Sequence, residues 1–152
     1  MRHHSTTSLK LLFTLFFAVL LSACSGGSGK TENAAAEGLK MAPLGGMPSE
    51  VLAAPAQVQQ AYQFAAANPE VMQQVPCYCG CGDMGHTSNY ACYVGGKNPD
   101  GTLLFDTHAL GCSICVDITQ DTMRLLKEGR SVPEIKAYID QTYAQYGPSN
   151  MP

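Results

Sequence analysis

The stretch "CSICVDITQDTMRLLKEGRSVPEIKAYIDQTY", residues 112–143, carries two helical patterns joined by a stop and a start. In its first half Cys115, Ile118, Thr122, Leu125 and Leu126 recur at the three-to-four-residue interval that places side chains on one face of a helix. Gly129 follows where a helix C-cap belongs. "SVPE" at Ser131 to Glu134 is a capping box, and Val132, Ile135, Ile139 and Tyr143 then share one side of a second helix. So short a link between two amphipathic helices predicts an antiparallel helical hairpin.

Working upstream, Pro55 suits the first turn of a helix, and "AQVQQAYQFAAAN" puts Val58, Ala61, Tyr62 and Ala65 on one face. Asn68 and Pro69 end it and can begin a second, shorter helix, "PEVMQQ", stopped by Pro76. Between Cys77 and Gly111 the chain is glycine-rich and irregular, with "YACYV" and "TLLFD" as the only candidate short strands or turns. The expected fold is mainly α: a small helical domain over residues 55–152, with a cysteine-rich irregular loop and a C-terminal antiparallel helical hairpin.

The amino end has a different character. Arg2 and Lys10 flank a basic start, "LLFTLFFAVLL" from Leu11 to Leu21 is apolar but too short for a permanent span, and small residues follow. Residues 1–23 therefore predict a signal peptide. "LSAC", Leu21 to Cys24, resembles the lipobox of bacterial lipoproteins, in which the cysteine carries the lipid. Residues 24–54, rich in Gly, Ser, Ala and Pro, predict a lipid anchor followed by a flexible tether, in which Met41 and Met47 read as spacer. The expected location is the extracytoplasmic face of a cell membrane or outer membrane, held by the lipid on Cys24.

Loss of the signal leaves seven basic against twelve acidic residues, a formal charge of −5. A nucleic-acid partner is not expected. Neither a nucleophile motif nor a paired-carboxylate arrangement is present, so hydrolytic chemistry is not expected either.

The chemistry concentrates between Cys77 and Cys115. "PCYCGCGDMGH", residues 76–86, spaces Cys77, Cys79 and Cys81 at every second position and ends on His86; Cys92 follows, and "HALGCSIC" supplies His108, Cys112 and Cys115. Soft thiolates select Cu(I) and Zn(II), and imidazole suits both. Cys112 and Cys115 have the two-residue gap usual in zinc sites, at a helix amino end that favours thiolate. Gly80 and Gly82 give the chain round Cys81 the freedom to fold about a metal. Three thiols within five residues can bridge neighbouring ions, which tilts the expectation to Cu(I), with Zn(II) or Hg(II) next. Metal ligands are expected at Cys77, Cys79, Cys81, Cys112 and Cys115, joined by Cys92, His86 and His108. Asp106 is placed to orient the His108 ring.

Two other readings stand beside this one. An exported domain with six cysteines is ordinarily a disulfide framework, here a structural or interaction lipoprotein. Cys-x-x-Cys at a helix start also suits a thiol–disulfide oxidoreductase acting through Cys112 and Cys115, although no βαβ pattern surrounds it. A metal-binding chain of this kind would sequester the ion outside the cytoplasm or deliver it, with a metal-donor or metal-acceptor protein as partner.

"PCYCGCG" at 76–82, preceded by "AYQFAAANPEVMQQV" and followed by His86, "DGTLLFDTHALGCSIC" and "EGRSVPEIKAYIDQTY", resembles the bacterial lipoproteins named for their PCYCGC motif. The likeness runs from about Pro55 to Tyr146. It implies a lipoprotein signal and a suspected heavy-metal affinity in a family that is largely uncharacterised.

Overall fold

The computed structural model describes residues 38–151. The expected signal peptide, the anchor Cys24 and the tether up to residue 37 lie outside the described residues.

The hairpin forms where its pattern places it. One helix spans Ser113–Lys127 and the next Val132–Tyr143. The first ends in a Schellman arrangement: Gly129, at φ +79°, donates to Leu126 O at 2.9 Å, and Arg130 donates to Leu125 O at 3.0 Å. The second begins with the Glu134 carboxylate accepting from Ser131 N at 2.9 Å, and Pro133 sits in the first turn, where a missing N–H costs nothing.

In chain order, α1 is Ser49–Leu52, α2 Ala56–Ala67, α3 Pro69–Met72, α4 Ser113–Lys127 and α5 Val132–Tyr143. Helix α2 packs against α4, and α4 against α5. Ala61, Tyr62, Phe64 and Ala65 of α2 meet Ile118 and Leu125 of α4 and Ile135 and Ile139 of α5 in one buried core. Burial of an aliphatic or aromatic side chain of this size contributes about 1.5–3 kcal/mol. The fold is mainly α, as the sequence predicts.

Irregular structure fills the space between α3 and α4. Strand β1, Val94–Lys97, pairs antiparallel with β2, Leu103–Phe105, with an irregularity in register between Val94 and Gly96. "TLLFD" thus supplies a strand. "YACYV" mostly does not: Asn89–Cys92 is a turn of 3-10 helix and the strand starts only at Val94. Tyr93 explains the difference. Its side chain is fully buried, packed edge-on to Tyr62 with centroids 4.9 Å apart, and the chain must coil to deliver both it and Cys92 inward.

Residues 38–54, expected to belong to the tether, are packed against the helical domain. Met47 and Val51 are buried in the core, so Met47 is a packing residue. Backbone pairing holds the segment before them: Ala42 N donates to Gln63 O at 3.0 Å, and Gln63 Nε2 returns a bond to Ala42 O at 2.8 Å. Asn68, expected as a cap, instead gives its side-chain N–H groups to Lys40 O and Phe64 O. Two well-placed apolar groups and two amide side chains suffice to order a segment whose average composition is that of a linker. Among the described residues, no helix is long and apolar enough to cross a membrane.

Candidate metal centre

Four segments converge on one point. The loop after Pro76 brings Cys77, Cys79 and Cys81; the 3-10 turn before β1 brings Cys92; the turn His108–Leu110 brings His108; and the start of α4 brings Cys112 and Cys115. Two glycines in the left-handed region shape the first loop. Gly80 at φ +82° and Gly85 at φ +84° bracket the 3-10 turn Cys81–Met84, a conformation that costs a residue with a Cβ about 1–2 kcal/mol. The second left-handed position is therefore Gly85, not Gly82, whose place instead abuts Asn150.

All six sulfurs are free and close together. Cys77 Sγ lies 3.3 Å from Cys79 Sγ and 3.4 Å from Cys115 Sγ; Cys79 to Cys115 is 3.6 Å, Cys81 to Cys92 is 3.7 Å, and Cys112 to Cys115 is 3.0 Å. A disulfide would need about 2.05 Å. His108 Nε2 is 3.4 Å from Cys79 Sγ, and the rings of His86 and His108 stand edge to face at 5.1 Å.

The eight side chains form overlapping groups in which the ligand atoms lie within 4.8 Å of one another. One contains Cys79, His108, Cys112 and Cys115, and another Cys81, His86, Cys92 and His108. Cys77 ties them together, grouped with Cys79 and Cys81 on one side and with Cys92 and Cys115 on the other. Each of the eight residues named from the sequence as possible metal ligands therefore lies in the cluster, while Cys24 lies outside the described residues. Such a set could hold a metal ion.

Proton balance in the cluster fits that use. Contact with Cys115 holds the Cys112 thiol down at about 5, against the pull of burial. Cys77 is lowered as well, chiefly by the Cys115 and Cys92 thiols. Cys115 moves the opposite way, raised by the contacts with Cys112, Cys77 and Cys92; burial raises Cys79 and Cys81. At Cys92 the Cys115 contact lowers, but the Cys77 contact, burial and the Cys77 charge outweigh it. Of the two "CSIC" thiols, expected to be favoured as thiolates by the helix amino end, only Cys112 is lowered, and chiefly by its contact with the Cys115 side chain. Without a cation, six adjacent thiols cannot all ionise, because each new charge repels the last. A soft cation removes that limit, and the protons leave as it binds.

A second observation comes from His86. It is buried at 8 % exposure, and its Nδ1 has no hydrogen-bond partner, while Nε2 faces Asp106 Oδ2 at 3.6 Å. A buried, unsatisfied ring nitrogen costs about 1–3 kcal/mol, a penalty that coordination would relieve. Asp106 thus sits beside His86 rather than orienting the His108 ring; its Oδ1 accepts from His108 N at 2.7 Å.

Sequence patterns could not single out the supports of this cluster. Tyr93 OH donates to Cys115 O at 2.8 Å and lies 2.7 Å from Thr119 Oγ1, which Asn89 Nδ2 also reaches at 2.9 Å. This network fixes the first turn of α4 from beneath. From the far end of the chain, Asn150 Oδ1 accepts from Cys77 N at 2.7 Å, Asn150 N donates to Cys77 O at 3.0 Å, and Asn150 Nδ2 is 3.6 Å from Cys81 Sγ. Tyr78, between two of the cysteines, is buried and donates its hydroxyl to Asp140 of α5 at 2.7 Å. Its ring pins the cysteine loop to the hairpin.

The family model described as "Protein of unknown function with PCYCGC motif" matches residues 13–152. The chain belongs to this PCYCGC family. Pro76 to Cys81 is the motif that names it, and the structure gives the PCYCGC hexapeptide a physical sense: alternate residues of the loop carry their sulfurs to the shared cluster while Tyr78 between them anchors the loop. No curated protein and no solved structure matches the chain.

Proposed function

We propose that this PCYCGC protein is an exported lipoprotein that binds a soft metal ion through its clustered cysteines and sequesters it outside the cytoplasm or passes it to a partner protein. The observation that carries the reading is the convergence of six free thiols and two imidazoles, drawn from four segments, with an orphaned nitrogen on buried His86. Cu(I) is the first choice, Zn(II) or Hg(II) next. Sulfur separations of 3.0–3.7 Å suit thiolates that bridge adjacent ions, the habit of Cu(I)–thiolate clusters. The bound ion would supply the positive charge that lets the cluster ionise.

The anchor is Cys24, on the lipobox reading of "LSAC", and the working location is the extracytoplasmic face of a membrane. Competitive loading of the full chain with Cu(I), Zn(II) and Hg(II), read by mass spectrometry, tests the metal choice: copper retained over zinc supports it, and zinc retained over copper overturns it. Cys24→Ala should release the protein from the membrane fraction and abolish incorporation of labelled palmitate. Unchanged fractionation and labelling would remove the lipoprotein reading.

One observation favours a second reading, a thiol–disulfide oxidoreductase. Cys112, half-buried and lowered to about 5, lies 3.0 Å from Cys115. In that case Cys112 would attack a substrate disulfide and Cys115 would resolve the mixed disulfide, two electrons passing to the substrate. Turnover in a disulfide-reduction assay, lost with Cys112→Ala, would favour it over metal binding.

A further inference from the structure

The eight donors differ sharply in access to solvent. Cys81, His86 and Cys92 are buried, at 1 %, 8 % and 0 % exposure, whereas Cys79, His108 and Cys112 stand half-exposed round buried Cys115. The two groups of four donors divide along this line, one inner and one outer, and both include His108. A neutral imidazole coordinates through one nitrogen, and His108 Nε2 lies 3.4 Å from Cys79 Sγ, on the outer side. The inner group then keeps three protein donors, Cys81, His86 and Cys92. Among these His86 alone has a buried nitrogen with no other partner, Nδ1.

Resting on the metal-binding reading above, we propose that the cluster holds ions of two kinds: an inner ion retained by Cys81, His86 and Cys92, and an outer ion exchanged at the edge formed by Cys79, Cys112, Cys115 and His108. Ligand exchange at a thiolate site proceeds by entry of a new donor before an old one leaves, so it needs access to the metal. The outer edge is where the donors reach solvent. There an incoming thiolate from a metal-donor or metal-acceptor protein replaces Cys112 on the ion, and the Cys112 thiolate is released; the metal keeps its oxidation state throughout. The inner position is closed by Asn150, whose side chain sits on the Cys77–Cys81 loop, and by the core. Cys77 borders both positions, grouped with Cys79 and Cys81 on one side and with Cys92 and Cys115 on the other.

The test is release of Cu(I) from the full chain, purified in mild detergent and loaded with the ion, to excess of a coloured Cu(I) chelator. The expected result is two phases, the slow one at least about tenfold slower, the scale on which the surroundings of a ligand alter metal affinity. Cys112→Ser should remove the fast phase and leave the slow one, and His86→Gln should do the reverse, with far-UV circular dichroism of each variant confirming its helices. A variant-free check uses wild type stopped after the fast phase and treated with iodoacetamide: Cys79 and Cys112 should be alkylated and Cys81 and Cys92 protected. Copper that leaves in a single phase, or alkylation spread evenly over all four, overturns the division while leaving metal binding intact. Wild type that takes up no copper overturns both.

Discussion

Cys77 Sγ lies 3.4 Å from Cys115 Sγ, although 38 residues separate them. Closing so long a loop costs chain entropy that a single sulfur–sulfur contact does little to offset. The closure is instead maintained from outside the cysteines, by Asn150 on Cys77 and by Tyr93 on Cys115. The cluster is thus held together by the helical scaffold rather than by the thiols themselves. The double variant Cys79→Ser, Cys81→Ser should lose metal while retaining the far-UV signature of α2, α4 and α5, because neither thiol supplies a backbone bond to those helices. Unchanged metal content would remove these sulfurs from the site.

Asn150 should matter far more than its place near the chain end suggests. Asn150→Ala leaves the buried Cys77 N–H without its 2.7 Å partner and should lower stability by about 1–3 kcal/mol. Chemical denaturation of the metal-free protein measures it. A change below about 0.5 kcal/mol would show the tail to be loosely held.

The hairpin was largely legible in the sequence because caps are local: Gly129, Ser131 and Glu134 act on backbone within a few residues. Ser131→Ala and Gly129→Ala should each cost about 1 kcal/mol, the first through the lost cap and the second through a Cβ at φ +79°. Denaturant midpoints that stay at the wild-type value would contradict this.

The eight cysteines and histidines that converge could also be named from the sequence, since residue type alone marks them. What lay beyond reach was set by long-range partners. Asn68 reads as a cap until Lys40 O is seen to take its amide; Asp106 reads as a partner of nearby His108 until the fold brings up His86; and Asn150 carries no signal at all. Met47 and Val51 sit in a segment of linker composition, yet only their register against α2 decides that they are buried.

Acidity should distinguish Cys112 from an ordinary thiol. With its value lowered to about 5, it is ionised at neutral pH, and protonation regains ground only as pH falls through about 5. Alkylation of Cys112 in metal-free protein should therefore rise up to about pH 6 and then level off, where an unperturbed thiol keeps rising through about pH 8.5 and beyond. Mass-spectrometric labelling rates across pH give the answer; a rise continuing to alkaline pH would show that the Cys115 contact does not hold the charge. Because every ligating sulfur must be deprotonated, acidification should release bound metal.

The most direct measurement is the metal content of the full chain, purified without chelator from cells supplied with copper and zinc, paired with a count of free thiols before and after the metal is stripped. The account predicts about one or more equivalents of a soft metal, with the thiols of Cys77, Cys79, Cys81, Cys92, Cys112 and Cys115 becoming reactive only once it is removed. Protein without metal and without free thiols would contradict it, placing the six cysteines in disulfides.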